Sequence, residues 1–555
     1  MKHDEHIAYF SMEIGLKKEI PTYSGGLGVL AGDNLRSCAD LELPVVGITL
    51  LYRKGFFSQV LDNDGNQVER EVEWNPKEFF EELPVKVSLK IEDRTVYVRA
   101  WHYKIKGVTG FENPCLFLDT NLEENSEYDR TITDKLYAND QYYRLAQEIV
   151  LGMGGVRILK ALGFENIQKF HMNEGHSALL AIELAKSMGK EASLEKIREK
   201  CVFTTHTPVA AGHDTFPKDL AMKMVYEQVP GKFRNSIFYQ GELNMTYLGL
   251  EFSGHINGVA KKHGEVSRQM FPGYDIEAIT NGVHSGFWVS EPFRKLYDKY
   301  LKGWEYDPFS LRYVLTIPKE EVWSAHQEAK DKLICYVNDN YNARMDPYVF
   351  TIGFARRATT YKRPEFILSD IERLKKVAKS CKGIQIVFGG KAHPNDWEGK
   401  EIIKRIFQRI QEVTDSIKIC YVEDYDIEIA KMLVSGVDLW LNTPRRPNEA
   451  SGTSGMKTAH NGIPQFSILD GWWLEGHIEN VTGWSIGNHP DSMENKTDSD
   501  DINDMYNKLE YVILPKFYQE RESWLDVMRH SIAINASFFN THRMVQQYVL
   551  NAYYS

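Results

Sequence analysis

The second half of the chain alternates short apolar segments with longer amphipathic ones. The amphipathic segments, such as 398–413 and 427–436, repeat apolar residues at helical spacing. Because strands that alternate with helices of this length pair in parallel, the pattern predicts a doubly wound α/β sheet. The predicted strands are YVFTIGFA (348–355), IQIVFGG (384–390), IKICYVED (417–424) and VDLWLNT (437–443).

The first half shows the same alternation less regularly. LPVVGITLLY (43–52) is a continuous apolar run that predicts a buried strand, and a helical pattern with three internal glycines covers about 134–162. Two strand-to-loop segments follow at 168–176 and 201–208, with a helix between them. The order of elements predicts two α/β domains with a cleft between them, and ligands beyond the carboxyl ends of the strands.

Two segments near the carboxyl end have distinct patterns. The stretch 491–504 is polar, acidic and rich in turn-forming residues, which predicts a surface loop. THRMVQQYVLNAYY (541–554) is amphipathic and predicts a terminal helix with Thr541 as its N-cap.

Composition narrows the class of protein. With 555 residues, 43% of them apolar, the chain is too long for one core and too apolar to be disordered. The net charge of −11 argues against nucleic acid or an anionic membrane as the main partner. The six cysteines are scattered, no apolar run approaches the ~20 residues of a membrane span, and no signal peptide is evident. We therefore expect a large cytoplasmic enzyme.

The loop that follows the last of these strands, 443–462, is rich in glycine and hydroxyl residues. Gly452 and Gly455 permit close approach of a ligand, and the hydroxyl groups beside them suit a phosphate at a helix start. Lys457 follows, and a lysine behind such a turn contacts an anion or forms a Schiff base. The spacing is not that of a P-loop, and a surface loop with a solvated lysine is the alternative.

RRATTYKR (356–363) places four cations in eight residues directly after a predicted strand. Arginine matches planar anions and lysine acts as a point charge, so the cluster predicts a site for phosphate or a phosphorylated ligand. A solvated basic face, as at 373–382, is the alternative. The position after a strand favours the anion site.

TYSGGLGVLAGD (22–33) is a weak dinucleotide-binding fingerprint, because we predict no strand before it and find no acidic partner at the expected distance. A turn whose backbone N–H groups reach an anion is the alternative. Although histidines are numerous, none forms HExxH or another close ligand pattern, so we expect no metal site. Glu174 and Glu449 follow predicted strands and suit sugar hydroxyl groups.

Taken together, these loops resemble the α-glucan phosphorylases, the family of glycogen, starch and maltodextrin phosphorylase. EASGTSGMK (449–457) resembles the family's cofactor segment, RRATTYKR its basic phosphate loop and SGGLGVLAG (24–32) its glycine-rich loop. THT (205–207), TNG (280–282), FGGKAHP (388–394) and FNTHRMVQQY (539–548) also follow in the expected order.

The resemblance implies two Rossmann-like domains that face each other across a cleft, the GT-B type of glycosyltransferase fold. The implied domains are 1–285, 286–535 and a terminal helix, 536–555, that packs back on the first domain. The implied activity is retaining phosphorolysis of α-1,4-glucan non-reducing ends to α-D-glucose 1-phosphate, in which the 5′-phosphate of pyridoxal phosphate relays the proton. The implied partners are an α-glucan or maltooligosaccharide and inorganic phosphate, and a second copy in a homodimer.

Roles for individual residues also come from the resemblance. It implies that Lys457 holds pyridoxal 5′-phosphate as an aldimine, and that Lys457, Arg357 and Lys362 are catalytic. The implied cofactor contacts are Thr453, Arg356, Gly455 and Tyr425. The implied substrate contacts are Gly25 and Gly26, through their backbone, and His206, Asn281, Tyr361, Glu449, Ala450, Ser451 and Gly452.

The chain also departs from the long regulated members of the family. Thr359 and Thr360 replace a His-Glu pair, and SGM replaces GNM in the cofactor segment. These features resemble the short prokaryotic branch, for which we expect no control by phosphorylation. Two alternatives stay open: a nucleotide-sugar glucan synthase on the same fold, which needs no cofactor lysine, and a glucan-binding protein without catalytic activity.

Overall fold

The computed structural model describes residues 5–137, 140–209, 212–410, 412–413, 417–490 and 497–554. The chain divides into two compact units, each with its own large sheet. Unit 1 consists of Met1–Phe57, Glu71–Thr280 and Thr541–Ser555, and unit 2 consists of Ser58–Arg70 and Asn281–Asn540. None of the helices in the described ranges has both the length and the apolar character that crossing a bilayer requires.

The strands are numbered β1 to β19 in chain order. They are His6–Ser11, Val45–Leu50, Ser58–Leu61, Gln67–Arg70, Glu81–Ile91, Arg94–Lys106, Glu112–Asp119, Ile167–Asn173, Cys201–Thr204, Thr215–Pro217, Glu242–Asn244, His255–Gly258, Glu277–Ala278, Phe350–Ala355, Ile384–Gly389, Ile417–Val422, Leu439–Asn442, Gln465–Ile468 and Gly483–Ile486.

The α-helices are numbered α1 to α21 in the same way. They are Gly26–Asp40, Glu127–Arg130, Gln141–Ile149, Gly155–Ala161, Leu180–Met188, Leu194–Lys200, Lys218–Met224, Met245–Phe252, Lys261–Met270, Ser285–Trp288, Glu291–Tyr300, Lys319–Tyr341, Ile371–Lys379, Trp397–Ile410, Ile427–Gly436, Ser454–Ala459, Trp473–Gly476, Asp498–Lys508, Leu514–Gln519, Arg521–His530 and Thr541–Tyr548.

The sheet of unit 2 is parallel throughout and has the order β16-β15-β14-β17-β18-β19. Its strands β14 to β17 are the four that the sequence predicts, and β18 and β19 extend the sheet. Numbered within the unit, this order is 3-2-1-4-5-6, the doubly wound arrangement whose ligand site lies where the order reverses. The predicted α/β class is confirmed, and the reversal lies between β14 and β17.

The sheet of unit 1 has the order β13-β12-β9-β8-β1-β2-β7-β6-β5. It is parallel from β13 to β7, and β6 and β5 add an antiparallel edge. The sequence analysis did not predict this edge, although VKVSLKI within β5 alternates apolar and polar residues as a half-buried strand does. The order reverses between β1 and β8, so the loops after these strands meet at one edge.

The structure corrects three predictions about local structure. A strand, β1, does precede the glycine-rich turn. Residues 498–504 belong to α18 rather than to a loop, since Thr497 and Asp500 form a capping box at its start; residues 491–496 lie outside the described ranges. Over 134–162 the helical pattern is real only from Gln141, and a π-helical turn, Val150–Gly154, joins α3 to α4.

The terminal helix belongs to unit 1 and is anchored by buried polar contacts. The Tyr553 hydroxyl lies 2.7 Å from Nδ1 of His171 on β8. The Thr541 hydroxyl lies 2.6 Å from the Ser37 hydroxyl on α1. Each of these buried polar groups therefore has a partner, as groups removed from water require.

The hairpin of β3 and β4 is a further correction, because Ser58–Arg70 belongs to unit 2 and not to the domain predicted for 1–285. Its buried glutamine side chains form hydrogen bonds with backbone of unit 2 that lies more than 300 positions further along the chain. No local pattern in the sequence indicates such a partner.

Candidate active site

Two loops lie at the point in unit 2 where the strand order reverses. β14 ends at Ala355 and leads into the basic loop, and β17 ends at Asn442 and leads to the short helix α16. Because β14 and β17 are parallel neighbours, both loops start from the carboxyl edge of the sheet. The candidate residues from Arg356 to Lys362 and from Glu449 to Thr453 lie on these loops, and Gly455 and Lys457 lie on α16.

Arg356, Lys362 and Glu449 form one nearly buried ion cluster. Nη2 of Arg356 lies 2.6 Å from Oε2 of Glu449, and Nζ of Lys362 lies 2.9 and 2.8 Å from its two carboxylate oxygens. Burial opposes ionisation of the carboxyl group, but the charges of both cations outweigh it and lower the pKa of Glu449 to about 2. The sequence analysis assigns these three residues to different ligands, whereas the structure joins them to one another.

The other two cations of the basic loop differ in their surroundings. Arg363 has a positive φ of 48° and donates to the carbonyl oxygens of Thr443 and Pro444 at 2.9 and 3.0 Å, and to Asp498 at 2.8 Å. It therefore joins the two loops. Arg357 is exposed, and within the described residues no hydrogen bond or ion pair engages it, so its guanidinium group is available to an anion.

Lys457 is buried on α16. Its ammonium group lies 4.1 Å from the ring centroid of Trp288, a favourable position for a cation in a water-poor site. Helix α16 packs closely on β18, since a Cβ at Gly455 would lie 1.4 Å from Oε1 of Gln465. Thr453 directly precedes the helix, and its carbonyl oxygen accepts from the Lys457 N–H at 3.2 Å.

The turn 470–472 fixes the loop that carries Glu449, and the sequence analysis did not identify it. Asp470 accepts from the Glu449 N–H at 2.9 Å, and the Trp472 N–H donates to the carbonyl oxygen of Ser451 at 2.9 Å. Gly471 has a φ of 54°, and a Cβ there would lie 2.3 Å from that same oxygen, so only glycine fits. Burial and the nearby charge of Glu449 raise the pKa of Asp470 to about 7.

The remaining candidates of unit 2 have different surroundings. Ala450 and Gly452, with a φ of 75°, are on the same loop as Glu449. The ring centroid of Tyr361 lies 4.5 Å from Nζ of Lys362. The Tyr425 ring packs on Gly389 at the end of β15, and burial raises its pKa. Asn281 is buried at the start of unit 2.

In unit 1 the glycine-rich turn connects β1 to α1. The space beside the α-carbons of Gly25 and Gly26 is open, as close approach of a ligand requires. The N–H groups of Ser24 and Gly25, however, donate to Oε2 of Glu13 at 2.5 and 3.1 Å. The sequence analysis did not consider Glu13, whose carboxylate lies where a negative charge is favoured by the helix dipole.

A second cluster of unit 1 lies after β8 and β9. Nε2 of His206 lies 2.7 Å from Oδ1 of Asn173, and the His206 N–H donates to Oε2 of Glu174 at 2.8 Å. Burial and the neighbouring His263 and His176 lower the pKa of His206 to about 3. The imidazole is therefore neutral at ordinary pH and offers hydrogen bonds without charge.

Comparison with known proteins identifies the family. The sequence matches the family described as carbohydrate phosphorylase over residues 16–105 and 231–484. It is 39% identical to maltodextrin phosphorylase of Thermococcus litoralis, over 99% of this chain and 70% of the relative, and 35% identical to glycogen phosphorylase of Aquifex aeolicus, over 99% and 86%. It is also 33% identical to an uncharacterized protein of Methanocaldococcus jannaschii, over 98% and 99%.

The chain belongs to the carbohydrate phosphorylase family. Such phosphorylases are glycosyltransferases, and the family generally uses pyridoxal phosphate.

The two loops that follow β14 and β17, the second of which leads to Lys457, carry donors that fit this cofactor of the phosphorylases. The hydroxyl groups of Ser451 and Thr359 are buried and have no hydrogen-bond partner in the described part of the chain. Buried hydroxyl groups normally have partners, so these two are free to bond to a ligand. With the cations of Arg356 and Lys362 on the same loops, the donor set suits a phosphate group beside an amine.

Proposed function

We propose that this protein is an α-1,4-glucan phosphorylase. It transfers the glucosyl unit at the non-reducing end of glycogen, starch or a maltodextrin to inorganic phosphate and releases α-D-glucose 1-phosphate with retained configuration. One observation carries the proposal: the loop that holds Glu449 between Arg356 and Lys362 leads directly to the buried Lys457. Membership of the family and the names of the relatives support it.

In the proposed reaction a phosphate oxygen forms a bond to C1 of the terminal glucose, the bond from C1 to the chain oxygen breaks, and that oxygen takes up a proton from the substrate phosphate. Arg357 and Lys362 would hold the substrate phosphate, while Arg356 and Thr453 would hold the phosphate of the cofactor. Two phosphate groups repel each other at close range, and concentrated positive charge in a water-poor site offsets that repulsion.

Lys457 would hold pyridoxal phosphate through its ε-amino group, with Gly455 and Tyr425 beside it. When bound, this cofactor supplies a 5′-phosphate group that exchanges a proton with the substrate phosphate. The transferred sugar would contact Tyr361 and the loop from Glu449 to Gly452. Contacts from His206, Asn281 and the backbone of Gly25 and Gly26 stay predictions, as do a homodimer and a cytoplasmic location.

The proposal is tested by an absorbance spectrum of the purified protein, borohydride reduction and peptide mapping. We expect a pyridoxyl group on the peptide that contains Lys457, and phosphate-dependent release of glucose 1-phosphate from maltodextrin. Lys457→Ala should lose both. Lys431→Ala is the matched control, because its ammonium group also lies over an aromatic ring, 4.0 Å from the centroid of Phe287.

Two results would contradict the proposal. A colourless Lys457→Ala variant with normal turnover would remove the role of this lysine. Wild-type protein that takes up no pyridoxal phosphate and transfers glucose from ADP-glucose or UDP-glucose would indicate a glucan synthase instead.

A further inference from the structure

The hairpin Ser58–Arg70 contacts the loops that follow β15 and β16 of unit 2. Gln67 makes a two-way pair with the backbone of Ala392: its Nε2 donates to the carbonyl oxygen at 2.9 Å and its Oε1 accepts from the N–H at 2.9 Å. Gln67 is buried, and Gln59 and Glu69 occupy its remaining hydrogen-bond positions at 2.9 and 2.7 Å. The side chain is thus fully satisfied in one orientation only.

Gln59, the second buried glutamine, holds the same loop at a neighbouring position. Its Nε2 donates to the carbonyl oxygen of Gly390 at 3.0 Å, and its Oε1 accepts from the Asp424 N–H at 3.0 Å. The carboxylate of Asp424 in turn accepts from the Gln59 N–H at 2.9 Å and lies 2.5 Å from Nζ of Lys391. The hairpin therefore fixes Gly390, Lys391 and Ala392 from one side.

The basic loop holds residues 389–391 of the same segment from the other side. The Arg356 N–H donates to the carbonyl oxygen of Gly389 at 3.1 Å, and the Ala358 N–H donates to that of Lys391 at 3.0 Å. Gly390 has a φ of 139°, and a Cβ there would lie 1.9 Å from the carbonyl oxygen of Arg356. Because the backbone of Gly390 packs directly against that of Arg356, a shift of 390–392 must move the start of the basic loop.

We propose that the hairpin positions the phosphate-binding loop, with Gln59 and Gln67 as positioning residues that act through Gly390–Ala392 on Arg356 and Arg357. The inference rests on the proposed function, since it assumes that this loop binds phosphate. It assigns to a segment from the first sixth of the sequence a role in the site of unit 2, to which that segment belongs.

Gln385 provides a matched control, because it lies on β15, the strand that precedes the loop that Gln67 contacts. At the amino end of β15 its Nε2 donates to the carbonyl oxygen of Asp346 at 2.9 Å, and its Oε1 accepts from the Asp346 N–H at 2.6 Å. It is buried, as Gln67 is. Replacing either glutamine by methionine removes a two-way pair with backbone, so both variants should lose similar thermal stability. Of the two, only Gln67 contacts the loop at the carboxyl end of β15, through Ala392.

The experiment compares Gln67→Met with Gln385→Met in the holoenzyme, with inorganic phosphate and maltodextrin as substrates. We expect KM for phosphate to rise by about tenfold or more in Gln67→Met, because small displacements of binding groups have large kinetic effects. KM for maltodextrin should stay unchanged in both variants, and KM for phosphate should stay unchanged in Gln385→Met. Ser58→Ala, which removes a single 3.0 Å hydrogen bond to Asp424, should shift KM for phosphate in the same direction by less.

The outcomes separate this inference from the proposed function. A phosphorolytic wild type whose KM for phosphate is the same in both glutamine variants would overturn the positioning role alone. If Gln67→Met does not fold, Ser58→Ala decides, and an unchanged KM for phosphate there would likewise overturn it. A wild type without phosphate-dependent turnover would overturn the proposed function, and this inference with it.

Discussion

Two nearly buried polar side chains, one at the carboxyl edge of each sheet, are held in opposite charge states. In unit 2, Glu449 is held ionised between Arg356 and Lys362, with its pKa at about 2. In unit 1, His206 is held neutral beside Asn173, with its pKa at about 3. Burial opposes charge at both residues: the two partner cations outweigh it at Glu449, whereas the neighbouring histidines add to it at His206. The difference suits one edge to phosphate and the other to uncharged hydroxyl groups.

Glu449→Gln should have the largest effect on this difference, because it removes the negative charge at the edge of unit 2. It leaves two buried cations without their carboxylate, so we expect the free energy of unfolding to fall by about 3 kcal/mol or more. Turnover should fall by about 100-fold, because Glu449 orients both cations and, under the proposed function, its loop contacts the transferred sugar. Denaturant titration and steady-state kinetics measure the two effects. Glu479→Gln is a control for the kinetics, since Glu479 is also a paired carboxylate with its pKa at about 2.

Asp470 is a buried carboxyl group at the edge of unit 2 that forms no ion pair with the described residues. It tests whether such a group is held neutral, as His206 is in unit 1. Its pKa is about 7 in the folded protein and 3.8 ordinarily. Between pH 5 and 7 the folded state therefore keeps a proton that the unfolded chain has lost, and stability falls as pH rises, by roughly 3 kcal/mol over this window. Asp470→Asn should lack this slope. Urea titrations at pH 5, 6, 7 and 8 measure it, and parallel curves for the two proteins would contradict the assignment.

Arg357→Ala isolates the exposed cation of the basic loop. We expect KM for phosphate to rise by about tenfold and KM for maltodextrin to stay the same, since a charge-assisted contact to phosphate is lost. Arg344→Ala is the control: Arg344 is also exposed, but precedes β14 rather than following it. Equal phosphate kinetics in wild type and Arg357→Ala would sink the assignment.

The smallest effect is expected at His206. Because its pKa is lowered to about 3, the side chain carries no charge between pH 5 and 8 and should add no slope to the pH profile there. His206→Gln should raise KM for maltodextrin and leave the shape of the profile of kcat against pH unchanged. An acid limb present in the wild type and absent from the variant would show that this edge also uses charge.

The sequence predicts the sheet of unit 2 well because parallel strands are buried on both faces and appear as short apolar runs. β14 and β15 lie within the predicted 348–355 and 384–390. It also places Arg356, Lys362, Glu449 and Lys457 on loops after strands. It does not show that three of them form one cluster, because the pairing of Arg356 with Glu449 spans 93 positions.

Other features depend on contacts that no local pattern records. Asp470 is one acidic residue before a glycine, and its importance comes from burial and from the N–H of Glu449. Gln59 and Gln67 lie in a polar hairpin whose partners are more than 300 positions away. Helix α12 is not among the predicted elements, although Pro318 precedes it and two glutamates occupy its first turn, a pattern typical of helix starts.

The path of the chain between the units has a consequence for dissecting the molecule. A cut after Thr280 would leave the first fragment with the hairpin that belongs to unit 2, and the second with the terminal helix that belongs to unit 1. Neither fragment would contain a whole folding unit, because Gln67 would be separated from Ala392, and Tyr553 from His171. Two such fragments could regain a native core only by exchanging these segments, which makes the chain a natural substrate for split-protein complementation rather than for isolation of its domains.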